Sequence, residues 1–421
     1  MSTKRIRLHR RAAHFPLGCG GELYAGDCRI VLATTLAEAS IDAVVTDPPY
    51  HLTTGAGTRG FMNQAWDGGG VAFDPALWKL VHRVVKPGAH VLAFGGTRTY
   101  HHLVAAIEAA GFAIRDCVLW LYGTGFPKSR NVSIDIDKMN GAEREVLERR
   151  TFGASSLMRA LTANSNNTAF SPGERHHHNR TRPASPEAQR WDGWGTALKP
   201  ACELIVLARK PLSERNTATN VLRHGVGALN IDGCRVGDKP MQVTASDGTF
   251  VSNNIAMTGH NTGRLSLGVK TGRWPANIIH DGSAEVVASF GDSDTAARFY
   301  YQAKADLGDR FAFKHPTVKP VDLMAYLVRL ITPPGGVVLD PFAGTGTTGE
   351  AAFREGKRAV LIEQDKHYRR YIHDRYAIMK GGGYARRLAI AKARINRAGG
   401  ESPGLFKEEE IDGSGHARTR P

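Results

Sequence analysis

From about residue 20 to residue 135, short apolar runs alternate with segments whose apolar side chains recur at helical spacing. Glu22–Asp27 reads as a short strand closed by an acid, Ile30–Ala39 as a helix, and Ile41–Thr46 as a buried strand. Leu77, Leu80, Val81 and Val84 share one face of a helix over Pro75–Val85, which Lys86-Pro-Gly88 ends. His90–Phe94 and Phe112–Tyr122 read as strands on either side of a helix over Tyr100–Ala110. The same patterning returns at Pro320. There Val321–Ile331 forms a helix, Val337–Leu339 a strand, Asp340–Thr348 a loop and Gly349–Glu355 a helix. A strand over Arg358–Ile362 and a helix over His367–Met379 follow. Strands separated by helices of this length predict a doubly wound α/β fold, with a mostly parallel sheet covered on both faces.

Between these blocks the chain is rich in Asn, Ser, Thr, Gly, Arg and His. Residues 151–190 and 238–268 read as long loops or disorder. Apolar islands at Leu198–Leu207, Val221–Ile231 and Trp274–Ile279 predict a partly ordered inserted domain. The expected division is a basic tail over 1–18, a catalytic part over 19–125 and an inserted region with mobile loops over 126–311. A cofactor-binding part over 312–382 and a basic, disordered tail over 383–421 complete it.

With 421 residues, 42% of them hydrophobic, the chain can build two or three domains around a substantial core. A formal charge of +15 and a pI near 9.7 point to a polyanionic partner, nucleic acid first and a membrane surface second. Membrane spanning is disfavoured, because no apolar run approaches the roughly 20 residues required. Basic residues Lys4, Arg5, Arg7, Arg10 and Arg11 lack the apolar core of a signal peptide beside them. Five scattered cysteines without a Cys-x-x-Cys pair support neither a zinc ribbon nor a disulfide framework, and point to a reducing, cytoplasmic setting. His176-His177-His178 has no spaced ligand cluster to complete a metal site, so no metal is expected.

Two segments carry chemistry. In Asp47-Pro48-Pro49-Tyr50 the prolines cannot donate to a sheet ladder, so the preceding strand stops and the carbonyls of Asp47 and Pro48 stay free. A carboxylate and a carbonyl can accept from an exocyclic amino group, and an aromatic ring can stack on the base that bears it. A plain strand-terminating turn is the alternative for the four residues alone. In Asp340-Pro341-Phe342-Ala343-Gly344-Thr345-Gly346-Thr347-Thr348, glycines let the backbone approach a ligand and the helix start offers free amide donors. Glu363, at the end of the next strand, sits where an acid grips ribose hydroxyls. The loop matches neither the GxGxxG fingerprint nor a P-loop ending in Gly-Lys-Ser/Thr, which disfavours an ATPase.

Together the two segments resemble the motif pair of the amino-group DNA methyltransferases that use S-adenosylmethionine, over nearly all of residues 20–380. Asp340 follows Tyr50 by 290 residues, and this order is similar to that of the beta group, whose target-recognition region lies between the motifs. The stretches Gly125–Asn131, Trp194–Pro200 and Gly272–Asn277 resemble its prophage-type branch. The resemblance implies a circularly permuted, Rossmann-like class I methyltransferase fold with a seven-stranded sheet and an inserted target-recognition domain. It implies S-adenosylmethionine as cofactor, duplex DNA as partner, and catalysis by Asp47, Pro48, Pro49 and Tyr50.

Asp27 and Cys28 match the strand-end site for the cofactor's adenine, with a simple turn as the alternative. Lys319, in His315–Pro320, matches the segment that helps hold the methionine carboxylate, with a helix-entry turn as the alternative. An Asp at position 47 favours adenine N6, and cytosine N4 stays open, as do a glutamine or RNA amino group and a catalytically silent DNA-binding module. Lys128, Arg130, Arg209, Lys210, Arg235 and Arg273 are candidate DNA contacts, each otherwise a solvated surface charge. Beta-group relatives often dimerise, which leaves a homodimer open.

Overall fold

The computed structural model describes residues 12–51, 70–123, 125, 129–151, 177–246, 264–290, 300–302, 318–383, 386 and 389–390. The strands of the first half are β1 (Ala13–Gly18), β2 (Gly21–Ala25), β3 (Ile41–Thr46), β4 (Val85–Gly95) and β5 (Ala113–Leu121). β6 (Glu145–Thr151), β7 (His177–Arg182), β8 (Cys202–Arg209), β9 (Val236–Ser246) and β10 (Arg264–Arg273) follow. The last four are β11 (Ile278–His280), β12 (Tyr301–Gln302), β13 (Val337–Asp340) and β14 (Arg358–Glu363).

Among the described residues, ten strands form one sheet in the order β1-β2-β14-β13-β3-β4-β8-β5-β11-β12. The seven from β2 to β5 in that order are the expected core, parallel except for β8, which runs antiparallel to both neighbours. β1 adds an antiparallel edge, and β11 and β12 extend the other side in parallel. The permutation is visible in this order: β13 and β14, late in the chain, insert between β2 and β3.

Both faces of the sheet are covered, because alternate side chains of each central strand enter different cores. Ala43, Val45, Leu92, Phe94, Val338 and Leu361 face one core, together with the helix Val321–Ile331. Val44, Val91, Ala93, Leu339 and Val360 face the other, against the helices Cys28–Thr34, Pro75–Val84 and Tyr100–Ala109. Every position of β3 is buried, Asp42 included. The Asp42 carboxylate accepts from Lys86 Nζ at 2.6 Å and from the Val337 amide at 2.8 Å, locking β3 beside β4 and β13 at the end away from the motifs.

Several boundaries differ from the sequence expectations. The first helix stops at Thr34, and Ala39 adopts a left-handed φ of 50° before β3. Residues 13–18 of the expected basic tail are a paired strand whose Leu17 is buried. Region 126–311 is not one insertion. β8 lies inside the central sheet, because its run of Leu204–Ala208 is apolar enough to be buried on both faces. β9 and β10 pair where a long loop was expected, as do β6 and β7, which His177 begins; His176 lies outside the described residues. Of the expected C-terminal tail, Ala389 and Ile390 pack on Ile378. Among the described residues, no helix is long and apolar enough to cross a membrane, and no group of three or more His, Cys, Asp or Glu is placed to hold a metal.

Trp78 is wholly buried between helix and sheet, and its indole N–H donates to the Ala72 carbonyl at 2.8 Å. Trp78→Ala leaves both a cavity and an orphaned carbonyl. It should destabilise the fold by about 3–5 kcal/mol, read as a lower urea midpoint.

Candidate active site

β3 and β13 run parallel with Ala43 beside Val338 and Val44 beside Leu339, so the motifs that follow them emerge side by side. One buried carboxylate fastens them. Asp340 accepts from Thr46 Oγ1 at 2.7 Å, from Thr348 Oγ1 at 2.5 Å and from the Phe342 amide at 3.0 Å. Burial raises this carboxyl to about 6, against the opposing effect of the three donors. Asp340 was expected to bind cofactor. In the structure it borders the cleft while its oxygens tie the end of β3 to the loop and helix after β13.

The cleft at this switch point measures about 1670 Å³ and contains both motifs. That exceeds the roughly 300–1,000 Å³ of a site for one drug-sized ligand. Pro341, Phe342, Gly344, Thr345, Thr347 and Thr348 line one half. Gly344 and Gly346 have φ of 52° and 79°, in the left-handed region where a side chain is strained. Gly346 does not face the cleft; it backs onto Ile372, whose Cγ1 would stand 3.1 Å from an added Cβ. Arg375 is wholly buried, donates to the Thr345 carbonyl at 2.8 Å and pairs with Glu350, which fixes the loop from behind. Glu363 accepts from the Gly344 amide at 2.8 Å and the Asp365 amide at 2.7 Å. Burial lifts its carboxyl to about 7, although these amide donors oppose the shift.

Asp27 and Cys28 lie on the rim of this half. The Asp27 carboxylate caps the helix Cys28–Thr34 at the Arg29 amide and pairs with the Arg29 guanidinium at 2.5 Å, which holds it below its ordinary value. The Cys28 thiol is pushed up to about 12 by burial and by the Asp27 charge, so it is no nucleophile.

In the other half, Asp47, Pro48, Pro49 and Tyr50 line the cleft with Lys319 and Glu203. Lys319 was expected at the cofactor's carboxylate. Its ammonium instead donates to Asp47 Oδ2 at 2.7 Å, Tyr50 Oη at 3.1 Å and Glu203 Oε2 at 3.0 Å, which engages all three of its hydrogens. Burial opposes the charge, but Asp47 and Glu203 outweigh it and hold the ammonium above its ordinary value. Tyr50 Oη donates to Glu203 Oε2 at 2.8 Å, and Thr99 Oγ1 donates to the Tyr50 carbonyl at 2.8 Å. Burial and the two carboxylates push this phenol well above its ordinary value. Asp47 Oδ1 is buried and has no hydrogen-bond partner among the described residues.

Glu203 was not anticipated. Its signal was an acid at the start of the apolar run of β8, three residues after the Trp194–Pro200 segment.

The DNA-contact candidates scatter. Arg209 and Lys210 sit at the opposite end of the sheet from Asp47, since Arg209 pairs with His90 while Gly95 pairs with Leu204. Lys210 donates to the carbonyls of His82 and Val85, so its ammonium clamps the chain on itself. Arg235 turns inward to Asp232 and the Gly272 carbonyl and lies over the Trp274 ring at 5.6 Å. Arg273 ends β10 opposite Val236. Arg130 keeps an exposed guanidinium beside Asp135, and its amide donates to Thr196 on the cleft wall. Lys128 and His315 lie outside the described residues.

Glu363 supplies a test. Its carboxyl stands at about 7 against an ordinary 4.5, so its contribution to stability is complete below the lower value and lost as pH rises through the upper one. The ligand-free protein should therefore lose melting temperature between about pH 5 and 8, and Glu363→Gln should flatten that slope. Asp340, raised to about 6, should leave a residual slope. Thermal unfolding across this range measures both.

A family model described as DNA methylase, of the N6/N4 methyltransferase type, matches residues 41–374. The chain is 24% identical over 330 residues to the type II methyltransferase M.HindIII of Haemophilus influenzae, covering 78% of this chain and 69% of that one. It is 43% identical over 60 residues to the type II methyltransferase M2.DpnII of Streptococcus pneumoniae, covering 14% of this chain and 22% of that one. Among solved structures it is similar to the PvuII DNA methyltransferase (cytosine-N4-specific), at 14% identity and a TM-score of 0.41, covering 91% of this chain and 94% of that one. The matched region spans both motifs and the strands that carry them, and the chain belongs to the N6/N4 DNA methylase family.

Proposed function

We propose that this DNA methyltransferase moves a methyl group from S-adenosylmethionine to the exocyclic N6 amino group of adenine, at a specific sequence in duplex DNA. The observation that carries the reading is the buried Asp47 Oδ1, without a partner among the described residues, in one cleft with the glycine loop. An orphaned buried acceptor is costly, and a donor brought by a ligand removes that cost.

The cofactor fits the other half. The left-handed Gly344 brings the backbone close, and Glu363 keeps further lone pairs for ribose hydroxyls. Pro341, Phe342, Thr345 and Thr347 would complete the cradle, with Asp27 and Cys28 at its rim. When bound, S-adenosylmethionine supplies an electrophilic methyl on a sulfonium.

An aromatic amino nitrogen is a poor nucleophile, because its lone pair is delocalised into the ring. Asp47 Oδ1 and the Pro48 carbonyl accept its two hydrogens and favour a pyramidal nitrogen with its lone pair available. Acceptors fixed in advance need little reorganisation at the moment of reaction. A stacked base is out of reach, so the adenine is flipped out of the duplex, and Tyr50, its hydroxyl anchored by Lys319 and Glu203, stacks on it. Arg130, whose amide donates to Thr196 of the cleft wall, suits a phosphate. Aspartate at position 47 favours adenine over cytosine, because serine usually occupies this place in cytosine N4 enzymes.

Asp47→Ala should lower incorporation of tritiated methyl into DNA by about a hundredfold or more, with cofactor binding unchanged. Retention of activity would sink the mechanism. Single-molecule sequencing of DNA from cells expressing the chain should show N6-methyladenine in one short context. Methylated cytosine N4 would replace adenine in the reading, and unmodified DNA would overturn it.

A further inference from the structure

Glu203 belongs to no motif and shares Lys319 with Asp47, and it lies inside the acceptor half of the cleft. We propose that Glu203 is a positioning residue for methyl transfer: by sharing the Lys319 ammonium, it leaves Asp47 Oδ1 free and basic enough to take a proton from the reacting amino group. The proposal rests on the methyltransferase reading above.

The need for such a partner follows from the chemistry. When the nitrogen lone pair forms the new N–C bond, the C–S bond breaks and its electron pair stays on sulfur. The nitrogen is then cationic and must lose one hydrogen as a proton. Asp47 Oδ1 is the buried acceptor without a partner at this place, and taking the proton makes Asp47 a neutral carboxyl. Lys319, 2.7 Å from Oδ2, works against this step if its charge falls on Asp47 alone, since a contacting cation makes a carboxylate a weaker base. Glu203, 3.0 Å from the same ammonium, supplies the second negative charge. After proton transfer the Lys319 charge is still balanced by Glu203, and no unpaired cation is left in the buried site.

The geometry fixes this sharing. Lys319 Nζ has three hydrogens and three oxygen partners, and Tyr50 Oη closes the ring by donating to Glu203 at 2.8 Å. The rings of Tyr50 and Phe94 stand 5.3 and 4.8 Å from Nζ and flank the cation. Glu203 is anchored near the start of β8, where Trp120 of β5 is its register partner. The charged or titratable groups facing the cluster are Asp340 from β13, Tyr122 after β5 and Cys202 on β8. Asp340 is negative only above about 6.

Glu203→Gln keeps the size and the hydrogen-bonding capacity while removing the charge. Its kcat for DNA methylation should fall by about tenfold or more, and the acid limb of the kcat–pH profile should move to lower pH, because Asp47 becomes the sole anion on Lys319. The dissociation constant for S-adenosylmethionine, measured by calorimetry, should stay within about twofold, because the donor half is untouched. Glu203→Asp should recover part of kcat and return the limb towards its wild-type position. An active wild type beside a Glu203→Gln form with the same kcat and acid limb would overturn the proposal. Joint loss of kcat and cofactor binding in both variants would overturn it too, by showing a purely structural role. A wild type that transfers no methyl to DNA would instead overturn the methyltransferase reading.

Discussion

The parallel pairing of β3 with β13 is the constraint on which the rest of the molecule depends. A strand from the first eighth of the chain and one from its last quarter lie side by side, and each ends in a loop at the same edge of the sheet. Between them Asp340 is buried and receives a hydroxyl from Thr46, a hydroxyl from Thr348 and the Phe342 amide. Such a carboxylate is stable only while its donors are present, so it penalises any slip of β3 against β13. At the other end of the same strands Asp42 plays a similar part with Lys86 and the Val337 amide. Two buried acids, one at each end, set the register that brings acceptor motif and glycine loop together.

Around that junction the site divides into halves with different electrostatics. The glycine-loop half holds carboxyls whose burial makes them weak acids, and backbone amides and hydroxyls partly restrain the shift. The acceptor half is ionic: one buried ammonium lies between Asp47 and Glu203, with the Tyr50 phenol closing the ring. Buried ion pairs contribute little net stability but are costly to break, because removal of one partner strands the other. The arrangement therefore serves geometry more than stability. It holds one Asp47 oxygen and leaves the other, though buried, without a hydrogen bond among the described residues.

Some of this was legible in the residues. The helix Val321–Ile331 and the strand Ile41–Thr46 carry periodicities strong enough to set their own bounds. Asp47-Pro48-Pro49-Tyr50 fixes a strand end by proline chemistry alone, and β3 stops at Thr46 as expected. β8 was harder. Its apolar run stood out, but nothing local says that it enters the sheet between β4 and β5 and runs against both. That placement carried Arg209 and Lys210 to the far end of the sheet and Glu203 into the site. Lys319 was singled out for the cofactor's carboxylate, and its neighbours in sequence do not reveal that Asp47 and Glu203 surround it.

By itself the sequence determined the chemistry available: an acid before two prolines, a glycine loop before a helix, an acid closing the next strand, and a basic surplus suited to a polyanion. These are local properties, written in the conformational limits of proline and glycine and in side-chain charge. Tertiary structure alone decided which charges meet. Whether a lysine neutralises a cofactor, a phosphate or a catalytic acid depends on distances of a few ångströms between residues far apart in the chain, such as Lys319 and Asp47. Only packing of the sheet and the helices on its two faces sets those distances.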